Sequence, residues 1–192
     1  MNKLTRLGIG AAAFGLLVTA AVVAYNALSD RVDTSGRVAL PDEGEDSSPK
    51  QAAPDFAMTD WAGNTIRLSD LVGRGRPAVL NFWASWCPPC EAEMPDFDRV
   101  HADFGHEVEF VMLDMTDGAR ETVEIGKRFV EARGFTMPVY FDTTSDGAMT
   151  YGIRSIPTTI FIDREGYVIT GVQGAIDESI LRRVIDFMLD GR

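Results

Sequence analysis

Residues 78–90 read Ala78-Val79-Leu80-Asn81-Phe82-Trp83-Ala84-Ser85-Trp86-Cys87-Pro88-Pro89-Cys90, and this stretch decides the fold. Its first seven residues are mostly apolar, with β-branched and aromatic members, and Pro77 and the Pro-Pro pair bound them. The pattern predicts a buried strand. From Pro88 to Phe104, Met94, Phe97 and Val100 recur at helical spacing among Glu91, Glu93, Asp96 and Asp98. Acids suit the positive start of a helix, and proline suits its first turn, where a missing N–H has no partner to lose. Pro95, further in, is expected to kink the helix. Cys87 therefore falls at the helix N-terminus, with Cys90 one turn on and on the same side. That closeness is compatible with the ~5.5–6 Å Cα separation of a disulfide. The helix end favours a thiolate at Cys87, which marks it as the nucleophile. Cys90, shielded inside the turn, is placed to resolve a mixed disulfide.

Two other readings compete. Cys87, Cys90, His101 and His106 superficially match a Cys₂His₂ zinc spacing. On a continuous helix, however, Cys90 and His101 lie about 16 Å apart along the axis, too far to share one ion. The two histidines then read as partly exposed residues near the helix end. The second alternative is an inert disulfide, but so short a loop restricts the unfolded chain little and stabilises weakly. Trp83 and Trp86 read as core and rim aromatics around the pair.

Outward from this centre, strands are predicted at Val108–Met115 and Val139–Asp142, and a helix at Arg120–Arg133 closed by Gly134. One or two helical turns follow at Asp146–Tyr151. Thr158–Asp163, the Arg164-Glu165-Gly166 turn and Tyr167–Val172 form a strand–turn–strand unit. Asp177 caps a last helix that ends at Leu189. Alternating strands and helices followed by a hairpin imply an α/β sheet of mixed direction.

Upstream, Leu7–Leu28 is a run of 22 residues without a charge, preceded by Lys3 and Arg6. As a helix it would measure about 33 Å, enough for a bilayer core of roughly 30 Å. Its length favours an uncleaved single-pass anchor over a removed signal peptide, although Thr19-Ala20-Ala21 offers a cleavage-like arrangement. The positive flank stays inside, which puts the remainder outside the cytoplasmic membrane. Residues 29–53, with Asp42-Glu43-Gly44-Glu45-Asp46-Ser47-Ser48-Pro49, read as a flexible tether. Residues 54–192 then form one domain carrying 13 basic and 23 acidic side chains, a net of −10 out of −11 for the whole 192-residue chain. Such a surface repels phosphate backbones, so no nucleic-acid partner is expected. Two cysteines are too few for a disulfide-stapled scaffold.

Asn81-Phe-Trp-Ala-Ser-Trp-Cys-Pro-Pro-Cys90, Glu93-Met-Pro95, Tyr151-Gly-Ile-Arg-Ser-Ile-Pro-Thr158 and Thr159-Ile-Phe-Ile-Asp-Arg-Glu-Gly166 together resemble the thioredoxin superfamily. Within it they resemble the membrane-anchored TlpA/ResA-like thiol–disulfide oxidoreductases. The resemblance implies a thioredoxin fold, a mixed sheet flanked by helices, with an inserted helix–strand element between Arg120 and Asp142. It implies that Pro157 is a cis-proline facing the cysteines and that Ile156 offers its backbone to an extended client. Without the resemblance a trans Pro157 opening an edge strand would be favoured, since only ~5–6% of X–Pro bonds are cis. Trp86, Pro88, Pro89 and Ile156 are the expected client contacts. Asn81 stands where thioredoxin has an Asp. Glu93 matches the acid that ResA-like members place beneath their cysteines, where it could take the Cys90 proton; the plain alternative is an exposed acid on an early turn. Glu91 lies off that face and reads as solvated.

The expected activity is exchange between protein thiols and disulfides, with no metal and no dissociable cofactor. The direction expected is reduction of exported proteins, because two prolines deny the Cys87 sulfur two N–H donors. By resemblance, electrons arrive from a membrane thiol transporter. Clients are disulfide- or thiol-bearing proteins, among them c-type cytochromes awaiting haem or oxidases awaiting copper. A peroxiredoxin-like thiol peroxidase is an alternative, but that pattern needs a Thr where Ala84 stands. A Cu(I) chaperone using the two sulfurs is another.

Overall fold

The computed structural model describes residues 50–190. The apolar run 7–28 and nearly all of the expected tether lie outside these residues. Among the described residues no helix is long and apolar enough to cross a membrane. Strands β1 (Ala57–Thr59), β2 (Thr65–Arg67), β3 (Ala78–Trp83), β4 (Glu109–Asp114), β5 (Val139–Phe141), β6 (Thr158–Ile162) and β7 (Val168–Gln173) alternate with helices α1 (Pro88–Phe104), α2 (Val123–Arg133), α3 (Asp146–Thr150) and α4 (Glu178–Leu189). A short 3₁₀ turn covers Leu68–Asp70.

The strands form one sheet in the order β2-β1-β5-β4-β3-β6-β7. β3 is buried along its whole length, which accounts for its nearly continuous apolar sequence. It runs parallel to β4, Ala78 beside Glu109 through Trp83 beside Asp114. A parallel pair needs a crossover, which α1 supplies. On its other side β3 pairs antiparallel with β6, and β6–β7 is the expected hairpin. Its turn is pinned by Asp163, whose Oδ1 accepts the Glu165 and Tyr167 N–H groups, with Gly166 at φ 90°. α2 and β5 form the expected helix–strand element, and β5 joins the sheet between β4 and β1.

Strand periodicity splits the core in two. Val79, Trp83, Phe110, Met112 and Phe161 face Met94, Phe97 and Val100 of α1 and Leu181, Val184 and Ile185 of α4. Leu80, Phe82, Val111 and Leu113 face the opposite way, toward Phe56, Met58 and Leu68. Two polar residues share the first face by the same alternation: Asn81 between Val79 and Trp83, and Asp114 after Phe110 and Met112. α1 runs without interruption through Pro95.

Two boundaries differ from the sequence reading. α2 begins at Val123 rather than Arg120, because residues 117–121 close on themselves. Asp117 Oδ1 accepts the Ala119 and Glu121 N–H groups, and the Glu121 carbonyl accepts those of Asp117 and Gly118. Thr122 then caps the helix through Ile125 N–H. At the amino end, Gln51 and Ala53 already hydrogen-bond to Val168 and Gly166, so sheet contacts start upstream of Pro54.

Candidate active site

The two cysteines form a disulfide, with Cα atoms 5.2 Å apart. Cys87 is the N-cap of α1, in extended conformation, and Pro88 and Pro89 take the first two helical positions. With no N–H on either proline, the first helical donor able to reach the Cys87 sulfur is Cys90 N–H, at 3.3 Å. This is the single-donor environment expected from the sequence. Cys87 keeps 4% of its surface and Cys90 none. Of the two cysteines, then, only the one that caps the helix keeps any contact with solvent. Trp86, 40% exposed, and the exposed Pro88 and Pro89 border it.

The Ile156–Pro157 bond is cis. Its loop faces the disulfide, with the Ile156 carbonyl oxygen 3.7 Å from Cys87 Sγ. Sulfur in a disulfide carries no hydrogen, so in this state the approach is a contact rather than a hydrogen bond; a Cys87 thiol could donate there. Ala84, where a thiol peroxidase of the related type would carry Thr, is buried and offers Cys87 N–H its backbone carbonyl at 3.2 Å.

Glu93 lies one turn beyond Cys90 on the same helix face and is 2% exposed, so the exposed alternative does not hold. Its Oε1 accepts from Asn81 Nδ2 at 2.9 Å and its Oε2 from Ile176 N–H at 3.0 Å. Asn81 also donates to Thr159 Oγ1 at 3.0 Å. Burial disfavours the carboxylate and raises the Glu93 pKa to about 7, even though the Ile176 and Asn81 bonds oppose the shift. A carboxyl poised near neutrality can take and return a proton. Asn81, unable to hold a proton itself, orients that carboxyl. Glu91 is solvent-exposed and pairs with Arg133. His101 packs edge-on against Phe110, and His106, exposed, lies beside Glu107.

A buried pair of acids escaped the sequence reading. Asp114 and Glu121 are both fully buried. Glu121 Oε2 accepts the Ser85 N–H at 3.1 Å and the Ser85 hydroxyl at 2.7 Å, which ties down the loop two residues before Cys87. Neither Asp114 oxygen nor Glu121 Oε1 meets a donor from any other described residue. The two carboxyls face each other, and burial beside Glu121 pushes Asp114 up to about 9. Burial raises Glu121 as well, but its contact with Asp114 lowers it, so Asp114 is the member of the pair that keeps its proton at neutral pH. The space is tight: a Cβ on Gly126 would sit 2.0 Å from Asp114 Oδ2.

A disulfide whose first cysteine caps a helix opposite a cis-proline, on a mixed sheet of this order, defines a thioredoxin-fold thiol–disulfide oxidoreductase. The chain belongs to the AhpC/TSA family, whose profile matches residues 49–170, and to its ResA-like members. It is 39% identical over 123 residues to the thiol-disulfide oxidoreductase ResA of Bacillus thuringiensis (strain Al Hakam), covering 64% of this chain and 68% of that protein. The crystal structure of StoA from Bacillus subtilis superposes with a TM-score of 0.59 at 25% identity, over 70% of this chain and 98% of StoA. A secreted Mycobacterium tuberculosis disulfide oxidoreductase, described as homologous to Escherichia coli DsbE, superposes with a TM-score of 0.60 at 27% identity, over 69% and 95%.

Proposed function

We propose that this oxidoreductase works outside the cytoplasmic membrane, anchored by residues 7–28, as a reductase of disulfides in exported proteins. The observation that carries the direction is the single N–H donor at the Cys87 sulfur, since fewer donors stabilise the thiolate less and make the dithiol a better reductant. The uncharged run behind Lys3 and Arg6 supports the location, as does similarity to a protein described as secreted. Resemblance to TlpA/ResA-like proteins favours clients whose cysteines must be free to take haem or copper.

In the cycle, the Cys87 thiolate attacks one sulfur of a client disulfide, forming a Cys87–client bond and releasing the other client sulfur as a thiolate. Cys90, losing its proton to Glu93, attacks Cys87 and expels the second client sulfur. Two electrons pass to the client and the Cys87–Cys90 disulfide seen here remains. A membrane thiol transporter returns two electrons and two protons. Trp86, Pro88, Pro89 and Ile156 hold the client segment, with Pro157 fixing the loop that presents Ile156. The reduction potential of the purified protein against glutathione tests the direction. A value near −270 mV, as in thioredoxin, is expected, and one near −120 mV, as in DsbA, would reverse it.

A further inference from the structure

Most arginines of this acidic domain are occupied. Arg67, Arg74, Arg76, Arg99, Arg133 and Arg182 each pair with a carboxylate, and Arg164 donates to the Met188 and Leu189 carbonyls at the end of α4. The two arginines beside the disulfide are not paired in this way. Arg120 spreads its guanidinium over the Trp86 ring, 3.3 Å from the centroid, and forms no ion pair with any described residue. Asp117, on the same loop, feels that charge, but its carboxylate is turned onto the Ala119 and Glu121 N–H groups. Arg154 is exposed and has no hydrogen bond, ion pair or ring contact among the described residues. It stands two residues before Ile156, whose carbonyl touches Cys87 Sγ. With acids in excess almost everywhere, the cations left without an acid include these two, one stacked on Trp86 and the other on the Ile156 loop.

We propose that Arg120 and Arg154 select clients in which the exchanged cysteine is flanked by Asp or Glu. This rests on the client-facing role of the Trp86 and Ile156 loops. A client that brings sulfur to Cys87 has to lie on those loops, because Cys87 keeps only 4% of its surface. A guanidinium stacked on an aromatic face still presents its N–H edge to a carboxylate. Each such exposed pair is worth roughly a 2- to 5-fold preference. The domain's net negative charge works against acidic clients at long range, but it is screened beyond about 8 Å at physiological ionic strength. The preference therefore arises at contact.

The test uses three peptides, each closed by one internal disulfide and identical except for Glu, Gln or Lys on either side of the first cysteine. With the reduced full-length protein, second-order rates should fall in the order Glu, Gln, Lys, spanning about 5- to 25-fold, and the span should shrink in 1 M salt. Arg154→Gln and Arg120→Gln should each narrow the span 2- to 5-fold, and Arg154→Glu should favour the Lys peptide. Equal wild-type rates for the three peptides, or a span that both substitutions leave intact, would overturn the proposal while leaving the reductase reading standing. If reduced protein exchanges with none of them, the reductase reading fails. The same peptides as dithiols, offered to the oxidised protein, must then show the charge order, and a flat series there sinks the selection as well.

Discussion

At the scale of single residues, the chemistry depends on which groups lose or keep hydrogen-bond partners when buried. Glu93 is the clearest case. Its two oxygens each accept one N–H, an arrangement that suits the anion, yet its surroundings are apolar enough that the pKa rises to about 7. In its proposed role as the base for Cys90 it works when ionised, so release of the second client sulfur should speed up as pH rises through about 7. Glu93→Gln keeps an acceptor for Ile176 N–H, and Asn81 can turn its amide to present Oδ1, which now has no partner. Stopped-flow measurement of mixed-disulfide resolution should show this variant slower by roughly 10²-fold, with the limb near pH 7 gone. An unchanged midpoint would assign that limb to another group. The place of Glu93 on the Cys90 face was legible in the sequence because the two are three residues apart on a helix whose start two prolines announce; its proposed role came from resemblance.

At the scale of elements, the junction of β4 with the loop before α2 supports the segment that leads into Cys87. Asp114 ends β4 on the core-facing side, Glu121 closes the 117–121 turn, and Ser85 hangs from Glu121. The folded state keeps a proton on Asp114 up to about pH 9, while the unfolded chain releases it near 3.8. The folded form therefore binds the extra proton between those values, and stability falls as pH rises through that window, by up to about 1.4 kcal/mol per pH unit. Asp114→Asn keeps a donor for Glu121 without a titrating group. Denaturation from pH 5 to 9 should show a shallower loss of stability in this variant than in the wild type; parallel curves would contradict a proton held at Asp114. The pair was hidden in the sequence because isolated acids ordinarily read as solvated. The alternation Phe110, Met112, Asp114 was the signal, since it puts that acid in line with two core residues. The β1–β2 hairpin left still less to read: each strand has three residues, too few for a period-2 pattern.

At the scale of the whole molecule, what was legible is what burial enforces. β3, α1, the β6–β7 hairpin and α4 carry long apolar runs or clear caps, and the sequence places each within a residue or so. The start of α2 was misplaced because side chain–backbone bonds from Asp117 outcompete helix for residues 117–121, a contest that propensity does not register. Cis Pro157 follows from resemblance rather than from local physics. The architecture leaves Cys87 a sliver of solvent contact and Cys90 none, and the order of events in the proposed cycle depends on that asymmetry. Covalent capture tests it most directly. Cys90→Ser and Cys87→Ser proteins are each mixed with a disulfide-closed peptide, and adducts are counted by intact-protein mass spectrometry. Cys90→Ser should accumulate a one-to-one adduct through Cys87 and Cys87→Ser essentially none. Equal capture by both, or full exchange activity in Cys87→Ser, would contradict Cys87 as the attacking sulfur.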